Sequence, residues 1–307
     1  MSRSSLGAQR MRNIDPMPRD ETIAEAVLRR AILTKAAAAV LAAIPLFARH
    51  ASATESAQLR IGGTGMALAT MRQIGGAFTA TQPDVAVKVL PSLGTGGGLS
   101  AVAAGAIELA VSARPLNDAE RAKGLQGLAY ARTPIAFVTH PDAGIRNITL
   151  TQVAQVLRGQ MLAWPNGTPI RLIRREPSDA DWTMLRGLST EMAEAVKVAL
   201  ERPGLLTPAT DQENADAVER LSGAFGAMSI GQMRAEARDV MPLGLDGEPP
   251  TVETLAAGRY KLSRSLYVVW HDQPGPDTAR FLAFLSTTET RVLLAHLGHI
   301  PLAGKAT

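Results

Sequence analysis

Apolar positions after residue 58 alternate between strand spacing and helix spacing. Residues 59–62 form a short apolar run that ends in glycine, and residues 85–89 place valine at every second position, as strands do. Between these segments apolar residues recur at helical spacing, which predicts a helix that ends before Pro83. A second helix after a glycine turn at residues 94–98 and a third strand at residues 107–111 complete a β-α-β-α-β order. This order predicts a parallel sheet covered by helices, with ligands bound beyond the carboxyl ends of its strands.

The rest of the chain continues the same alternation. Apolar runs predict further strands at residues 134–139, 169–173, 224–230 and 266–270. Helical spacing marks residues 150–157 and 192–200, and it returns in two closing segments around residues 281–285 and 292–297. The sequence therefore predicts an α/β protein without internal repeats.

The first 53 residues have the pattern of an export signal. Arg29 and Arg30 precede an Ala-rich apolar run at residues 36–48, and Ala51-Ser52-Ala53 supplies the small residues of a cleavage site. The run is shorter than the roughly 20 apolar residues that a membrane-spanning helix needs. We expect residues 1–53 to be a cleaved signal peptide, of the general secretory or twin-arginine type. The mature protein would then be periplasmic, without stable insertion in the membrane.

Composition excludes several classes of site. The chain has no cysteine, which excludes disulfides, thiolate metal sites and a cysteine nucleophile. Residues 1–53 hold eight Lys or Arg and four Asp or Glu, so the remaining chain has 24 of each sign. Because the mature protein would be formally neutral, the high isoelectric point of the full chain comes from the leader. It therefore predicts no nucleic-acid partner.

Two glycine-rich turns between a strand and a helix could bind an anion. They are Gly62-Gly63-Thr64-Gly65 and Gly94-Thr95-Gly96-Gly97-Gly98. Glycine lets the backbone approach a ligand, and free N–H groups at a helix start attract negative charge. The alternative for the first is an ordinary strand–helix turn and for the second a flexible loop, and the first lacks the spacing of a dinucleotide-binding loop.

A third turn, at residues 174–181, begins with Arg174 and Arg175 and continues into acidic residues. Arginine is suited to forked recognition of carboxylates and phosphates. Ser178 and Asp181 also have the spacing of a helix-capping pair, and the arginines could be paired on the surface. If the three turns converge at the strand ends, they form one cleft.

Six segments resemble motifs of the phosphate-binding family of periplasmic solute-binding proteins. They lie at residues 61–65, 93–97, 113–116, 223–226, 262–267 and 298–302. The last two, L-S-R-S-L-Y and G-H-I-P-L, stand in the family's order near the end of the chain and are the more specific ones. The resemblance covers roughly residues 58–302.

The resemblance implies a type II periplasmic binding protein: two Rossmann-like α/β lobes joined by a hinge that closes on ligand. Residues 54–138 and 236–307 would form lobe 1, and residues 139–235 would form lobe 2. The implied function is capture of a small, anionic or zwitterionic ligand, phosphate or a related oxyanion, for an ABC importer permease. It also implies a monomer with no catalytic step, no cofactor and no metal.

The resemblance places the ligand shell in the three turns and after the third strand. The implied ligand-binding residues are Thr64, Gly65, Met66, Thr95, Gly96, Gly97, Arg114, Arg175, Asp179 and Asp181.

This shell departs from the family pattern at several positions. Met66 stands where the family has a threonine, and Ala113 stands where many members have an aspartate that accepts a phosphate proton. Asp179 and Asp181 replace hydroxyl residues of the family's S-G-T segment. A carboxylate about 4 Å from a dianion costs about 4 kcal/mol per unit like-charge pair at an effective dielectric constant near 20.

These departures leave several ligand classes open: a monoanion, a protonated oxyacid, a zwitterion, or no small ligand. We hypothesise that Asp179 or Asp181 points into the cleft and sets a different specificity. The alternative function is a periplasmic sensor or interaction protein that kept the fold and lost or changed the ligand. An enzyme is the third class, but the chain lacks a G-x-S-x-G nucleophile motif.

Overall fold

The computed structural model describes residues 57–303. The predicted signal peptide at residues 1–53 lies outside the described residues. Within residues 57–303 no helix is both long enough and apolar enough to cross a membrane.

Short strands and helices alternate along the described chain. The strands are β1 (Ala57–Gly63), β2 (Val85–Val89), β3 (Leu109–Ser112), β4 (Leu125–Thr139), β5 (Asn147–Ile148), β6 (Arg171–Leu172), β7 (Ala224–Ser229), β8 (Met241–Pro242), β9 (Gly244–Leu245), β10 (Ser263–His271) and β11 (Ile300–Pro301). The helices are α1 (Gly65–Thr81), α2 (Gly94–Ala103), α3 (Asp118–Arg121), α4 (Leu150–Arg158), α5 (Ala180–Arg186), α6 (Thr190–Glu201), α7 (Asp211–Arg220), α8 (Ile230–Ala235), α9 (Val252–Ala256), α10 (Pro276–Leu285) and α11 (Thr288–His296).

The long strand β4 connects two sets of strands. The main sheet has the order β2-β1-β3-β10-β4-β7-β6, with β8 and β11 also paired to β4. The β2-β1-β3 part is parallel, as the β-α-β-α-β pattern predicts. The first part of β4 pairs with β10 up to Pro134, whereas its last part, from Ile135, pairs with β7. The strand β4 therefore belongs to both sets, with β10 beside its first part and β7 beside its last part.

Each set of strands has its own apolar core. The first core contains α1, β1 and α10, where the rings of Phe78 and Phe281 meet edge to face at 5.2 Å. The second contains the end of β4 with α4, α6 and β7, where Phe137 and Phe225 stack at 5.5 Å. This is the predicted two-lobed α/β architecture.

The packing of residues 243–262 bears on where the lobes divide. Leu243, Tyr260 and Leu262 are buried in the second core, and the Tyr260 hydroxyl donates to the Ile135 carbonyl at 2.8 Å. The predicted division, with lobe 2 ending at residue 235, stays a prediction. The packing favours a return to the first lobe near residue 262.

The second glycine-rich segment differs from the prediction. Residues 94–98 are predicted to form a turn, but α2 already begins at Gly94. A Cβ atom on Gly98 would lie 2.7 Å from the Gly63 Cα atom, so this glycine lets α2 pack directly on the end of β1. This close packing overrides the poor helix propensity of glycine, about 1 kcal/mol per residue relative to alanine.

Candidate functional site

A cavity of about 730 Å³ lies where the three predicted turns meet. Eight of the ten predicted ligand-binding residues line it: Thr64, Met66, Thr95, Gly96, Arg114, Arg175, Asp179 and Asp181. Gly65 and Gly97 are not in its lining. The structure thus brings the predicted turns together, while the ligand-binding role of each residue stays a prediction.

The first turn, between β1 and α1, is occupied by a side chain from a distant helix. Thr64 is the N-cap residue of α1, but its side chain makes no capping hydrogen bond. Instead the Met66 N–H donates to Asp211 Oδ2 at 2.9 Å, and the Thr64 hydroxyl lies 3.5 Å from the same oxygen. Gly65 is needed for this approach, because a Cβ atom there would lie 2.8 Å from Asp211 Oδ2. The Asp211 carboxylate therefore occupies the position at the start of α1 where the sequence analysis places an anionic ligand.

Arg175 lies between two carboxylates. Its Nη2 is 2.7 Å from Asp179 Oδ2 and 2.8 Å from Asp211 Oδ1. Its Nη1 donates to the Thr210 carbonyl at 3.1 Å. Only 12% of the Arg175 side chain is exposed, and the two carboxylates offset its charge inside the protein. Burial raises the pKa of Asp211, against the opposing effect of Arg175.

The third turn is capped by its own acid. The side chain of Asp179 accepts from the Asp181 N–H at 2.8 Å and is the N-cap of α5. The predicted capping pair of Ser178 and Asp181 is therefore wrong, because Asp179 is already in the N-cap position. Both Asp179 and Asp181 line the cavity, as the specificity hypothesis requires.

Asp181 is buried and paired with an arginine from β10. Its Oδ1 accepts a short hydrogen bond from Arg264 Nη2. Burial, followed by the nearby negative charge of Asp179, raises the pKa of Asp181 to about 6. A carboxyl group with this pKa can be protonated in mildly acidic solution and then donate a hydrogen bond.

The second turn keeps its polar groups open to the cavity. The N-cap residue Leu93 makes no capping hydrogen bond, and the Gly94 N–H donates to Ser92 Oγ at 3.4 Å. The next N–H groups of α2 have no carbonyl four residues back within the helix. Thr95 Oγ1 accepts from the Ala113 N–H at 3.1 Å, which leaves the hydroxyl proton free to donate. Gly96 is exposed, and no atom lies within 4 Å of where its Cβ atom would be. Of the three turns, this one is the most accessible to a ligand.

Arg114 and Arg174 differ in position, since only Arg114 lines the cavity. Arg114 lines the cavity and is held by Glu120 through two hydrogen bonds of 2.8 and 2.7 Å. Arg174 is absent from the cavity lining and donates instead to Thr207 and the Leu200 carbonyl. The arginine pair of the third turn is therefore split between the cavity and the interior of the second lobe.

A comparison with protein families decides the ancestry. Residues 48–289 match the model of the PBP superfamily domain. The chain belongs to the PBP superfamily. The resemblance predicted from the sequence motifs and the two-lobed fold are both confirmed.

Relatives of this PBP superfamily member include phosphate-binding proteins. The phosphate-binding protein PstS of Bacillus subtilis strain 168 is 23% identical over 235 residues, which cover 73% of this chain and 74% of the relative. A structure described as a phosphate ABC transporter substrate-binding protein with bound phosphate, from Clostridium perfringens, has a TM-score of 0.67 at 21% identity. The match covers 80% of this chain and 99% of that chain. An ABC-type phosphate transport receptor from Vibrio cholerae has a TM-score of 0.55 at 23% identity, with coverage of 80% and 99%.

The cleft of this PBP superfamily member contains both basic and acidic side chains. The cavity lining contains three arginines and four carboxylates: Arg114, Arg175 and Arg264 against Glu176, Asp179, Asp181 and Asp211. With all of these groups ionised, the acids offset the arginines. The three turns that could bind an anion therefore meet in a cleft whose lining has one more carboxylate than arginines.

Sequence reasoning missed Asp211 and Arg264 as cleft residues. Asp211 follows Thr210 in a T-D-Q-E segment whose Thr210 and Glu213 form a capping box, so a purely local role explains the segment. Its contact with Met66 spans 145 residues. Arg264 stands inside the family-like segment at residues 262–267 and could have been considered on that ground.

Proposed function

We propose that this chain is an exported solute-binding protein that delivers a small ligand with an anionic group to an ABC importer, without a catalytic step. The observation that carries the proposal is the open second turn. There Gly94, Thr95 and Gly96 of α2 line a cavity between the two lobes, and the Thr95 hydroxyl keeps a proton to donate. The phosphate-binding relatives support the same role, and the proposed export rests on the signal-peptide pattern of residues 1–53.

The charge balance favours a zwitterion, a monoanion or a protonated oxyacid over a phosphate dianion. The anionic group of such a ligand would accept from the Thr95 hydroxyl and from the start of α2. A cationic group would offset Asp179 and Asp181, whose carboxylates line the same cavity. Because Asp179 and Asp181 already pair with Arg175 and Arg264, a dianion would bring two further negative charges into a cleft whose arginines are already offset.

Calorimetric titration of the purified protein tests this proposal. The panel contains inorganic phosphate, sulfate, a phosphonate monoester that is a monoanion at both pH values, and the zwitterion phosphoethanolamine, each at pH 5.5 and pH 7.5. We expect one-to-one binding of at least one ligand, with the zwitterion bound more tightly than phosphate at pH 7.5. Absence of binding across the panel would count against the receptor role, and tighter binding of phosphate at pH 7.5 would refute the proposed ligand class.

The second candidate is a periplasmic sensor or interaction protein. It is favoured by the internal carboxylates at two of the three turns, Asp179 at α5 and Asp211 at α1. Crosslinking in intact cells distinguishes the two functions. Recovery of an ABC permease supports transport, whereas recovery of a signalling protein without a permease supports the sensor.

A further inference from the structure

The start of α1 is satisfied by a carboxylate that comes from the other side of the cleft. Asp211 is the first residue of α7, and the apolar face of α7, with Ala215 and Val218, packs on the last part of β4. The Met66 N–H that donates to Asp211 belongs to α1, which packs in the core of the first lobe. The hydrogen bond of 2.9 Å therefore connects the two lobes directly.

A neighbouring side chain strengthens this connection. Gln212 Nε2 donates to the Gly65 carbonyl at 2.9 Å and to Glu236 Oε1 at 2.8 Å. The second oxygen of Asp211 accepts from Arg175 at 2.8 Å. Asp211 and Gln212 thus form a two-residue clasp on the first turn of α1.

The groups bound by Asp211 are those that an anionic solute would use. A backbone N–H at a helix start and a guanidinium are both strong partners for an oxyanion. While Asp211 is in place, a solute cannot accept from the Met66 N–H, and it meets a negative charge beside Arg175. Asp211 therefore has the chemistry and position of a bound anion.

We propose that Asp211 is an internal competitor for anionic solutes that also clasps the two lobes together when no solute is bound. This inference rests on the proposed anion-binding role of the same cleft. It assigns to Asp211 a specificity role: an anionic group gains the start of α1 only when Asp211 leaves Met66 and Arg175. Solutes that fit the open second turn alone bind without this exchange.

Replacement of Asp211 by alanine tests both parts of the proposal. Because the chain has no cysteine, the exposed residues Lys88 and Lys197, on β2 and α6, can be changed to cysteine and labelled specifically. Asp216→Ala is the matched control, since Asp216 is an acid of the same helix that pairs with Arg238 within the second lobe. Distances between the labels are measured by pulsed electron paramagnetic resonance, and inorganic phosphate binding is measured by calorimetry.

We expect D211A to lengthen and broaden the distance distribution without ligand, whereas the parent and D216A keep the shorter distance. The distribution should include some short distances, because the Gln212–Gly65 hydrogen bond and the Asp181–Arg264 pair remain as contacts across the cleft. We also expect D211A to bind phosphate at least tenfold more tightly than D216A does.

Each outcome decides one part of the inference. An unchanged distance distribution in D211A overturns the clasp. Unchanged or weaker phosphate binding in D211A, with other panel ligands still bound by the parent, overturns the competition. If no variant binds any panel ligand, the proposed function fails instead, and the distances alone still decide the clasp.

Discussion

Asp181 shows how a single buried carboxyl group controls the charge of the cleft. It lies in the cavity lining next to Asp179 and Arg264, with 9% of its side chain exposed. Burial and the charge of Asp179 raise its pKa to about 6, above the ordinary value of an aspartate. Near neutral pH Asp181 is therefore ionised, and in mildly acidic solution it is largely neutral.

We expect the affinity for an anionic ligand to increase as the pH falls from 7.5 to 5.5. Protonation of Asp181 removes a negative charge from the cleft, and linkage limits the effect of one group to tenfold per pH unit. Sulfate is a suitable probe because it does not itself titrate in this range. Asp181→Asn should bind sulfate more tightly at pH 7.5 and show a smaller pH dependence.

Asp216→Asn is the control for this measurement, because Asp216 does not line the cavity. It should keep the pH dependence of the parent. An equal pH dependence in Asp181→Asn and the parent would show that Asp181 does not control the charge of the cleft.

Helix starts determine which parts of the cleft were predictable from the sequence. The three turns were predictable because glycine and cap residues follow strands at short range. The Asp179 cap of α5 is also a local feature, although the sequence suggested Ser178 instead. The Asp211 contact at α1 was not predictable, since it joins segments 145 residues apart and leaves no periodic pattern.

The glycines of α2 have different roles, and stability measurements separate them. A Cβ atom at Gly98 would meet the backbone of Gly63 at 2.7 Å, whereas a Cβ atom at Gly96 would meet no atom within 4 Å. We expect Gly98→Ala to lower the free energy of unfolding by about 1–3 kcal/mol through overpacking. Gly96→Ala should raise it by up to about 1 kcal/mol, because alanine favours helix.

Urea unfolding followed by circular dichroism measures both changes. Equal stability of the two variants would contradict the direct packing of α2 on the end of β1.

At the scale of the whole molecule, His299 joins the lobes through a buried contact. Its side chain lies against α1, where Nε2 is 3.1 Å from the Thr70 hydroxyl, and against Gly231 of α8. Its Nδ1 has no hydrogen-bond partner among the described residues. Burial lowers the pKa of His299 to about 4 from an ordinary value of 6.5.

This buried histidine predicts a loss of stability in acid. Between pH 6.5 and pH 4 the unfolded chain binds a proton at His299 that the folded protein does not, so stability falls as the pH decreases. Between pH 7 and pH 4.5 we expect the parent to lose about 2–3 kcal/mol more than His299→Gln does. Urea unfolding at both pH values measures the difference.

His296→Gln is the control, because His296 is exposed on the neighbouring turn of α11. It should lose stability with decreasing pH as the parent does. An equal loss in His299→Gln and the parent would exclude His299 as the responsible group.

The sequence predicted the architecture of the molecule better than its charge distribution. The positions of strands and helices along the chain depend on local apolar spacing, which is clear in residues such as Val85, Val87 and Val89. The neutralised cleft depends on which side chains meet across it, as Arg175 meets Asp211 and Arg264 meets Asp181. Those pairs join segments that are distant in the sequence, so no local pattern predicts them.

The central claim is that the cleft between the lobes binds a small ligand with an anionic group. Gly96 lines the cavity with open space around it, so Gly96→Trp fills the second turn. Gly76→Trp, at an exposed helix position with equal space and outside the cavity lining, is the matched control. In calorimetric titrations with the ligand panel, the account predicts one-to-one binding by the parent and Gly76→Trp and none by Gly96→Trp; equal binding by all three proteins, or by none, would contradict it.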